Sequence, residues 1–290
     1  MSLKQDYILI ADSGSTKTEW GLLKNDGSII NLIEDEGINP MTQDRDHIIK
    51  TIDNLEKQIS QYGEPQRIYF YGAGCIKGKP SEMLKNIISL KWIKASIEIH
   101  SDMFGAARAL SGNEAGIVCI LGTGSNSCCY NGQDIIAQVP SLGYVLGDEG
   151  SGNALGKRWL NTILKKPALV PSHLLKKYYR NYPSLEETLI NVYKKPGANY
   201  FLASVAVFLS RHRDANIVRQ IIKEEFDLFF RNNILQYKDA LSYEISFTGS
   251  IAYYFSDFLK ESANSFGLKI KKISHRPLKG LIEYHKNNLL

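Results

Sequence analysis

The chain has 290 residues, which is enough for one large domain or two of ordinary size. Hydrophobic residues make up 43% and charged residues 22%, the balance of a soluble globular protein. The formal net charge of +5 is spread along the chain, and no apolar run approaches the roughly 18 residues of a membrane span. The sequence therefore predicts neither a nucleic-acid partner nor a membrane partner.

Features of the N-terminus and the cysteines bear on the compartment. Lys4, Gln5 and Asp6 lead directly into the first predicted strand, without a signal-peptide pattern. The four cysteines form no C-x-x-C pair, and most of them lie in or beside apolar segments, which disfavours a zinc or iron–sulfur site within one chain. The expected compartment is a reducing cytoplasm.

Strand and helix patterns alternate in the first part of the chain, which is typical of the α/β class. The predicted elements are strands Tyr7–Ala11, Thr18–Leu23 and Ser28–Ile33, a helix over Asp44–Tyr62, strand Arg67–Tyr71, a helix over Ser81–Ile88, strand Ser96–His100 and a helix over Met103–Leu110. A turn-rich break at Ser111–Glu114 follows. This break predicts an N-terminal lobe of residues 1–112 and a C-terminal lobe of residues 113–277.

The second part opens with the same three-strand pattern as the first. Its predicted elements are strands Ile117–Leu121, Ser127–Tyr130 and Asp134–Gln138, helices from Asn153 to Gln236 with the clearest over Asn216–Gln236, strand Glu244–Thr248, a helix from Gly249 through Leu259, strand Leu268–Ile273 and a terminal helix over Leu278–Lys286. Repetition of a whole strand–loop–strand unit indicates two lobes that hold one polyanion, for which a nucleotide is the first candidate.

The repeated unit carries a glycine- and hydroxyl-rich loop each time. Backbone N–H groups and hydroxyls that converge on one point bind phosphate. The candidate phosphate-binding residues are Gly14, Ser15, Thr16 and Thr18 in the first loop, and Gly122, Thr123, Gly124 and Ser125 in the second. A plain polar hairpin is the alternative for each loop. Gly249-Ser250 at a strand-to-helix junction suits an anion or adenosine, or is a helix cap without a ligand.

Four side chains are candidates for binding or catalysis. Asp12 ends the first strand and could hold Mg²⁺ through water, or satisfy a turn. Asp102 follows a strand and starts a helix, so it is either the catalytic carboxylate or a helix cap. Asp148 lies among glycines and is otherwise a surface turn residue. Asn39 could present its amide to a hydroxylated ligand, or be a turn residue before Pro40.

Three motifs in order resemble those of a known superfamily. The segments Asp12–Thr18, Gly122–Ser125 and Phe247–Ser250 resemble the first phosphate, second phosphate and adenosine motifs of the sugar kinase/Hsp70/actin superfamily. Within it, the chain is most similar to the N-acetylglucosamine kinases of the BadF/BadG/BcrA/BcrD ATPase group. The stretches that carry this likeness are Ser101-Asp102, Gly122–Asn126 and Gly147–Gly152.

The resemblance implies two ribonuclease-H-like (actin-like ATPase) lobes with ATP and Mg²⁺ in the cleft between them. It also implies that the C-terminal helix, within residues 278–290, packs back on the N-terminal lobe, and that the protein is a homodimer. Asp102 matches the family's catalytic aspartate. The positions implied for the sugar pocket are Asn39, Gly72, Ala73, Gly74, Gly143, Asp148 and Asp102 itself.

The reaction expected from the resemblance is ATP-dependent phosphorylation of an amino-sugar hydroxyl at C6, with N-acetylglucosamine as the first candidate. Asp102 would accept the hydroxyl proton, while Mg²⁺, the loop N–H groups and Lys17 would neutralise phosphate charge. N-acetylmuramic acid, its anhydro form and glucosamine are alternative substrates. A BadF-type ATPase that activates a partner enzyme, or a nucleotide-binding sensor without turnover, are alternatives of a different class.

Overall fold

The computed structural model describes residues 6–14 and 16–289, and it divides the chain into two compact units. The first unit contains the described residues up to Glu114, together with Gly132–Ile135 and the C-terminal segment that begins at Arg276. The second unit contains Ala115–Asn131 and Ile136–His275. The chain thus enters the second unit twice and returns to the first unit for its last helix.

The helices and strands alternate much as the sequence predicts. Up to residue 111 they are β1 (Tyr7–Ser13), β2 (Lys17–Lys24), β3 (Ile29–Glu36), α1 (Arg45–Ile59), β4 (Pro65–Gly72), α2 (Lys79–Lys91), β5 (Ser96–Ser101) and α3 (Asp102–Ser111). Beyond it they are β6 (Ala115–Leu121), β7 (Ser125–Asn131), β8 (Ile135–Ala137), α4 (Gly143–Leu146), α5 (Gly152–Lys165), α6 (Ser172–Asn181), α7 (Leu185–Tyr193), α8 (Ala198–Ser204), α9 (Ala206–Arg211), α10 (Asn216–Asn232), β9 (Glu244–Thr248), α11 (Ser250–Tyr254), α12 (Ser256–Ser265), β10 (Lys269–Ser274) and α13 (Leu278–Leu289).

The first unit is built on a mixed sheet with the strand order β3-β2-β1-β4-β5. The meander β1-β2-β3 is antiparallel, whereas β4 and β5 run parallel to β1. Helices connect the parallel strands, because a parallel pair cannot be joined by a tight hairpin. The carboxyl ends of β1, β4 and β5 therefore lie at one edge of this sheet.

The second unit repeats that arrangement, with the strand order β10-β9-β6-β7-β8. Here β6 and β7 are antiparallel, while β9 and β10 run parallel to β6. Counted along the chain within each unit, the two strand orders are the same. The α/β class and the pair of ribonuclease-H-like sheets are confirmed.

The first sheet buries both of its faces, as the period-two pattern of a central strand requires. Alternate β1 residues Tyr7, Leu9 and Ala11 pack with α1 and α2 on one face. On the other face, Ile8 and Ile10 pack with α3 and α13. The inward stripe of α1 is Ile48, Ile52, Leu55 and Ile59, and all four are buried as predicted.

The C-terminal helix α13 is packed tightly in the first unit. A Cβ on Gly280 would lie only 2.2 Å from the Ala109 carbonyl oxygen of α3, so glycine permits this close helix contact. At the same interface, the buried Tyr71 hydroxyl lies 2.9 Å from His285 Nε2 of α13 and accepts a hydrogen bond from Arg108 Nη1 at 2.6 Å.

Three local features differ from the predicted elements. The helix expected from Gly249 through Leu259 is broken at Phe255, where α11 ends and α12 begins. The helix expected to end at Gln236 ends at Asn232, followed by a single 3-10 turn. The short helix α4 lies in the glycine-rich segment, where no helix is predicted. None of the helices in the described ranges is long and apolar enough to cross a membrane.

Candidate functional site

The edge of the first sheet brings together several of the predicted site residues. Ser13 is in register with Gly72, and Gly72 with Ser101, so β1, β4 and β5 end at the same level. The Ala73 N–H extends this contact by donating to the Ser13 carbonyl oxygen at 2.9 Å. Asp12, the Gly72–Gly74 turn and Asp102 consequently share one edge, where ligands of open α/β sheets bind.

Asp102 is the first residue of α3, but it is not the helix cap. The preceding residue, Ser101, caps the helix by accepting the Phe104 N–H with its hydroxyl at 3.2 Å. The Asp102 carboxylate accepts the adjacent Met103 N–H at 2.8 Å and also interacts with its own backbone N–H. Burial raises the pKa of the Asp102 carboxyl, and the hydrogen bond from Met103 offsets this in part. Because Ser101 fulfils the capping role, the Asp102 carboxylate keeps lone pairs for a ligand.

Asp12 lies in a group of like charges. It is paired across the antiparallel strands with Glu19, so both side chains project from the same face of the sheet. Burial, reinforced by the charges of Glu19 and Asp102, raises the pKa of the Asp12 carboxyl to about 8, and Lys17 offsets this only partly. A cation near these carboxylates would favour their ionised forms, and hard cations prefer carboxylate oxygens. These residues fit Mg²⁺.

These residues fit a Mg²⁺ ion that keeps its water ligands. Within residues 6–14 and 16–289, no group of three or more His, Cys, Asp and Glu side chains is arranged to hold a metal directly. Contact through water remains the form in which Asp12 would hold Mg²⁺, since that ion commonly keeps several of its waters.

The first loop is held by buried hydroxyls. Ser13 Oγ lies 2.7 Å from Thr18 Oγ1 and accepts the Ile38 N–H at 2.9 Å, while Thr18 Oγ1 donates to the Glu36 carbonyl oxygen at 2.9 Å. Thr18 is fully buried, so its hydroxyl serves the structure of the hairpin. Gly14 and Thr16, by contrast, are exposed. Ser15, also predicted to bind phosphate, lies outside the described residues.

Lys17 is engaged by two carboxylates. Its Nζ lies 3.2 Å from Glu19 Oε1 and forms a shorter ion pair with Glu34 Oε2. Arg276 pairs with the same two glutamates. The predicted phosphate-binding cation is therefore already part of an ion-pair network.

Asn39 combines the two roles that the sequence left open. Its Oδ1 accepts the Met41 N–H at 3.0 Å, which makes the expected turn. Its Nδ2 has no protein partner in the described part of the chain and is available to a hydroxyl. The same side chain lies directly over Gly74, where a Cβ would be 2.0 Å from Asn39 Oδ1. With φ at +74°, Gly74 is required both by its backbone and by this contact.

The second loop is braced from within its own unit. Buried Asp148 accepts the Ser125 N–H through Oδ1 at 3.1 Å and the Asn153 Nδ2 group through Oδ2 at 2.7 Å. A Cβ on Gly124 would lie 2.9 Å from Asp148 Oδ2, so this residue must be glycine for the carboxylate to approach. The Asn153 N–H also donates to the Thr123 carbonyl oxygen at 3.1 Å. Asp148 is thus a structural support of the loop rather than the surface turn residue that was one alternative.

The outer glycines of the two loops have a different character. A Cβ on Gly122 would meet nothing within 4 Å, and one on Gly14 would come no closer than 3.7 Å to the Lys17 carbonyl oxygen. Neither residue has a φ in the left-handed region. The N–H groups of both glycines donate within their own loops, from Gly14 to the Lys17 carbonyl oxygen at 2.9 Å and from Gly122 to the Gly124 carbonyl oxygen at 3.0 Å. What glycine provides at both positions is open space beside the Cα, which leaves room for a ligand against the main chain.

Gly249 joins the adenosine-type motif to the second loop. Its φ is +111°, and a Cβ there would lie 2.3 Å from the Leu121 carbonyl oxygen, so glycine is required. Ser250 starts α11 and is exposed. The remaining predicted contact, Gly143, starts α4 with open space around its Cα, and the neighbouring Val145 and Leu146 side chains are largely exposed.

The sequence did not reveal the residues that surround these motifs. Glu19 could have been found, because a hairpin between β1 and β2 sets it opposite Asp12. Asn153 directly follows the glycine-rich segment and had no distinguishing pattern. Arg276 is more than 230 residues from Glu34, and no sequence signal joins them.

Comparisons with known proteins complete the description. No protein-family model and no curated protein sequence matches the chain. Among solved structures, a Porphyromonas gingivalis protein provisionally named N-acetylglucosamine kinase is 38% identical, with a TM-score of 0.91 over 98% of this chain and 100% of that one. A Chromobacterium violaceum protein with the same provisional name is 15% identical, with a TM-score of 0.76 over 97% of this chain and 99% of that one.

A more distant match is a ROK family glucokinase from Streptomyces griseus, solved with glucose and AMPPNP. It is 13% identical, with a TM-score of 0.56 over 96% of this chain and 97% of that one. At 13–15% identity the second and third structures establish a common fold and nothing finer. The first structure, at 38% identity over the full length, establishes a family.

Proposed function

Because the chain belongs to the N-acetylglucosamine kinase-like family of the sugar kinase/Hsp70/actin superfamily, we propose that it is an ATP-dependent kinase that phosphorylates an amino sugar. The substrate that the family favours is N-acetylglucosamine, with C6 as the acceptor hydroxyl. The observation that carries the proposal is the meeting of Asp102 and Asp12 at one sheet edge, beside the first loop.

Asp102 is proposed as the general base. Its carboxylate would accept the proton of the sugar hydroxyl while the oxygen attacks the γ-phosphorus of ATP, and ADP would leave. Burial raises the pKa of the Asp102 carboxyl, which makes it a stronger base than a free aspartate. The Met103 N–H fixes one carboxylate oxygen and leaves the other for the hydroxyl.

Phosphate binding is assigned to the exposed parts of the two loops. The proposed contacts are the hydroxyls of Thr16 and Thr123 and the main chain around Gly14 and Gly122, where the two glycines leave open space. The N–H groups of Gly14 and Gly122 themselves donate to carbonyl oxygens within their loops. Gly249 and Ser250 are proposed for the adenosine end. Asp12 would hold Mg²⁺ through water, and the ion would supply positive charge to the phosphate oxygens.

The sugar contacts rest on the first unit. The Nδ2 of Asn39, which has no protein partner among the described residues, can donate to a sugar hydroxyl or acetyl oxygen, and the same side chain lies directly over Gly74. Direct contact of Asp148 and Gly143 with the sugar stays a prediction of the resemblance. The homodimer and the cytoplasmic location also stay predictions.

The cysteines count against a BadF-type activator as the alternative. Such a protein would need thiols that can reach a metal cluster, whereas Cys75, Cys119, Cys128 and Cys129 are all buried. Burial also raises the pKa of the Cys128 thiol to about 12, which disfavours the thiolate that a metal requires.

The test is ADP release, measured with a coupled assay across a panel of amino sugars and with ATP alone as the blank. The panel contains N-acetylglucosamine, N-acetylmuramic acid, its anhydro form and glucosamine. We expect sugar-dependent ADP release, strongest with N-acetylglucosamine, and phosphorus NMR of the product should place the phosphate on O6. ADP release that is the same with and without every sugar would instead favour the ATPase alternative.

A further inference from the structure

Three carboxylates form a row across the antiparallel strands of the first unit. Asp12 of β1 is paired with Glu19 of β2, and Glu19 with Glu34 of β3, so all three side chains project from one face of the sheet. Like charges directly opposite each other destabilise a sheet. The row is tolerable only with cations beside it.

Two cations share the outer part of this row. Lys17 Nζ and Arg276 Nη1 both contact Glu19 Oε1 and Glu34 Oε2, the same two oxygen atoms. Lys17 is closer to Glu34 and lies 3.2 Å from Glu19. Arg276 is closer to Glu19 and lies 3.6 Å from Glu34. Lys17 therefore already contacts the Glu19 oxygen to which Arg276 is closer, and Arg276 already contacts the Glu34 oxygen to which Lys17 is closer.

We propose that Arg276 is a positioning residue for nucleotide binding, which compensates Glu19 and Glu34 when Lys17 leaves them to contact ATP phosphate. The inference rests on the proposed function, because it requires that ATP binds at the first loop. Without Arg276, the departure of Lys17 would leave two opposed carboxylates with no cation from the described residues in contact with them. With Arg276 present, a small movement of the guanidinium toward Glu34 Oε2 replaces the lost ion pair.

The position of Arg276 in the chain gives the exchange a further consequence. Arg276 is the first residue of the segment that returns from the second unit to the first, and it directly follows His275. Its side chain is half-exposed, at 51%, so the guanidinium has room to shift between the two carboxylates. The ion pairs that respond to nucleotide thus lie at the start of the returning segment, where they connect it to β2 and β3.

The test is a double-mutant cycle on ATP affinity, measured by titration calorimetry without sugar. We expect Arg276→Gln to weaken ATP binding about three- to fivefold, the range open to a partly exposed ion pair. Glu34→Gln alone should change affinity less than about twofold, because Arg276 still compensates Glu19. In the Arg276→Gln background, the same Glu34→Gln change should restore most of the lost affinity, since Lys17 is then released from one carboxylate.

Arg219→Gln is the matched control, because Arg219 is equally exposed, at 50%, and pairs with Glu261 in the second unit. It should leave ATP affinity unchanged, and Arg276→Lys should rescue the loss by keeping the charge. If Glu34→Gln improves ATP binding equally in the unchanged chain and in Arg276→Gln, long-range charge explains the data. The proposal that Arg276 replaces Lys17 at these carboxylates is then wrong. Unaltered binding by Arg276→Gln would also overturn it. Failure of the unchanged chain to bind ATP would remove the proposed function and this inference together.

Discussion

The two units of the molecule use the same strand order for loops of opposite character. In the first, the pair next to the loop is Asp12 with Glu19, and an acidic row with two cations borders it. In the second, the equivalent pair is Ile120 with Asn126, and the loop is supported by a single buried carboxylate, Asp148. One unit thus concentrates several charged side chains at its loop, while the other supports its loop with one carboxylate that accepts two hydrogen bonds.

This difference indicates that the loops of the two units have different tasks. Carboxylates placed close together are costly to ionise, and the pKa of Asp12 is raised for this reason as well as by burial. Such clusters of charged side chains are typical of sites where a reaction or a bound cation requires them. A loop that only has to hold phosphate can use main-chain N–H groups and be stabilised by ordinary hydrogen bonds. We therefore expect substitution of Asp102 in the first unit to affect turnover, and substitutions in the second loop to affect nucleotide affinity and stability.

The largest expected effect is that of Asp102→Asn. Loss of the general base should lower kcat about 10²–10⁴-fold while ATP affinity changes little, because an amide keeps the Met103 hydrogen bond but cannot accept the proton. The measurement is steady-state ADP release with saturating sugar. Asp257→Asn, an exposed carboxylate in the first turn of α12, is the control and should leave kcat unchanged. Near-normal turnover of Asp102→Asn would refute the assignment.

Asp148→Ala tests whether the second loop depends on its buried brace. The Ser125 N–H and the Asn153 Nδ2 group would lose their acceptor, so the free energy of unfolding should fall by about 1–3 kcal/mol in urea titrations. Asp148 also has a φ of +64°, which alanine adopts poorly.

Asp239→Ala controls for the backbone strain in that experiment. Asp239 has a similar φ of +55° but is exposed, so its substitution carries the strain without the buried hydrogen bonds. The difference between the two variants in free energy of unfolding measures the contribution of the Asp148 hydrogen bonds. Equal losses of stability would mean that Asp148 does not support the loop.

Alanine at the outer glycines tests the feature that the two loops share. Gly14→Ala and Gly122→Ala add a methyl group to open space, so stability should be retained, while KM for ATP should rise about tenfold as the methyl blocks phosphate. Gly124→Ala and Gly249→Ala should instead lose stability, because their Cβ atoms would collide with Asp148 and Leu121. A stable Gly122→Ala with unchanged KM would argue against phosphate at this loop.

Much of the fold could be predicted from the sequence because its signals are local. Buried apolar runs and loop residues located the strands to within two or three residues, and β9 was exact at Glu244–Thr248. The helix break at Phe255 could not be predicted, since no glycine or proline marks it. The short helix α4 was missed because its glycines indicate a loop.

The sequence predicted the separate motifs of the site but not the hydrogen bonds and ion pairs that connect them. Asp12 and Asp102 follow their strands in the sequence, so they could be identified. The engagement of Thr18 with Ser13 and Glu36 depends on three strands coming into register, which no single segment encodes. The same holds for Arg276, whose partners are distant in the chain and are set by tertiary packing alone.

The smallest expected effect concerns the interior of the first unit. Its Tyr71–His285–Arg108 cluster is polar, whereas the second unit packs Phe226, Phe229 and other aromatic side chains in its core. Burial, with the nearby charge of Arg108, lowers the pKa of His285 from 6.5 to about 3. Neutral His285 lies within hydrogen-bond distance of the Tyr71 hydroxyl, at 2.9 Å, and the folded state resists the protonation of His285 that the unfolded chain accepts.

The sign of the resulting pH dependence is fixed by that difference. Between about pH 6.5 and pH 3 the unfolded chain binds the proton and the folded chain does not, so stability falls with falling pH. For this one group the slope is at most about 1.4 kcal/mol per pH unit. His285→Gln offers Tyr71 an acceptor but cannot titrate, so urea titrations at pH 7, 6 and 5 should give it a shallower loss of stability than the unchanged chain. Identical slopes would mean that folding does not lower the pKa of His285, and that acid sensitivity does not distinguish the first unit from the second.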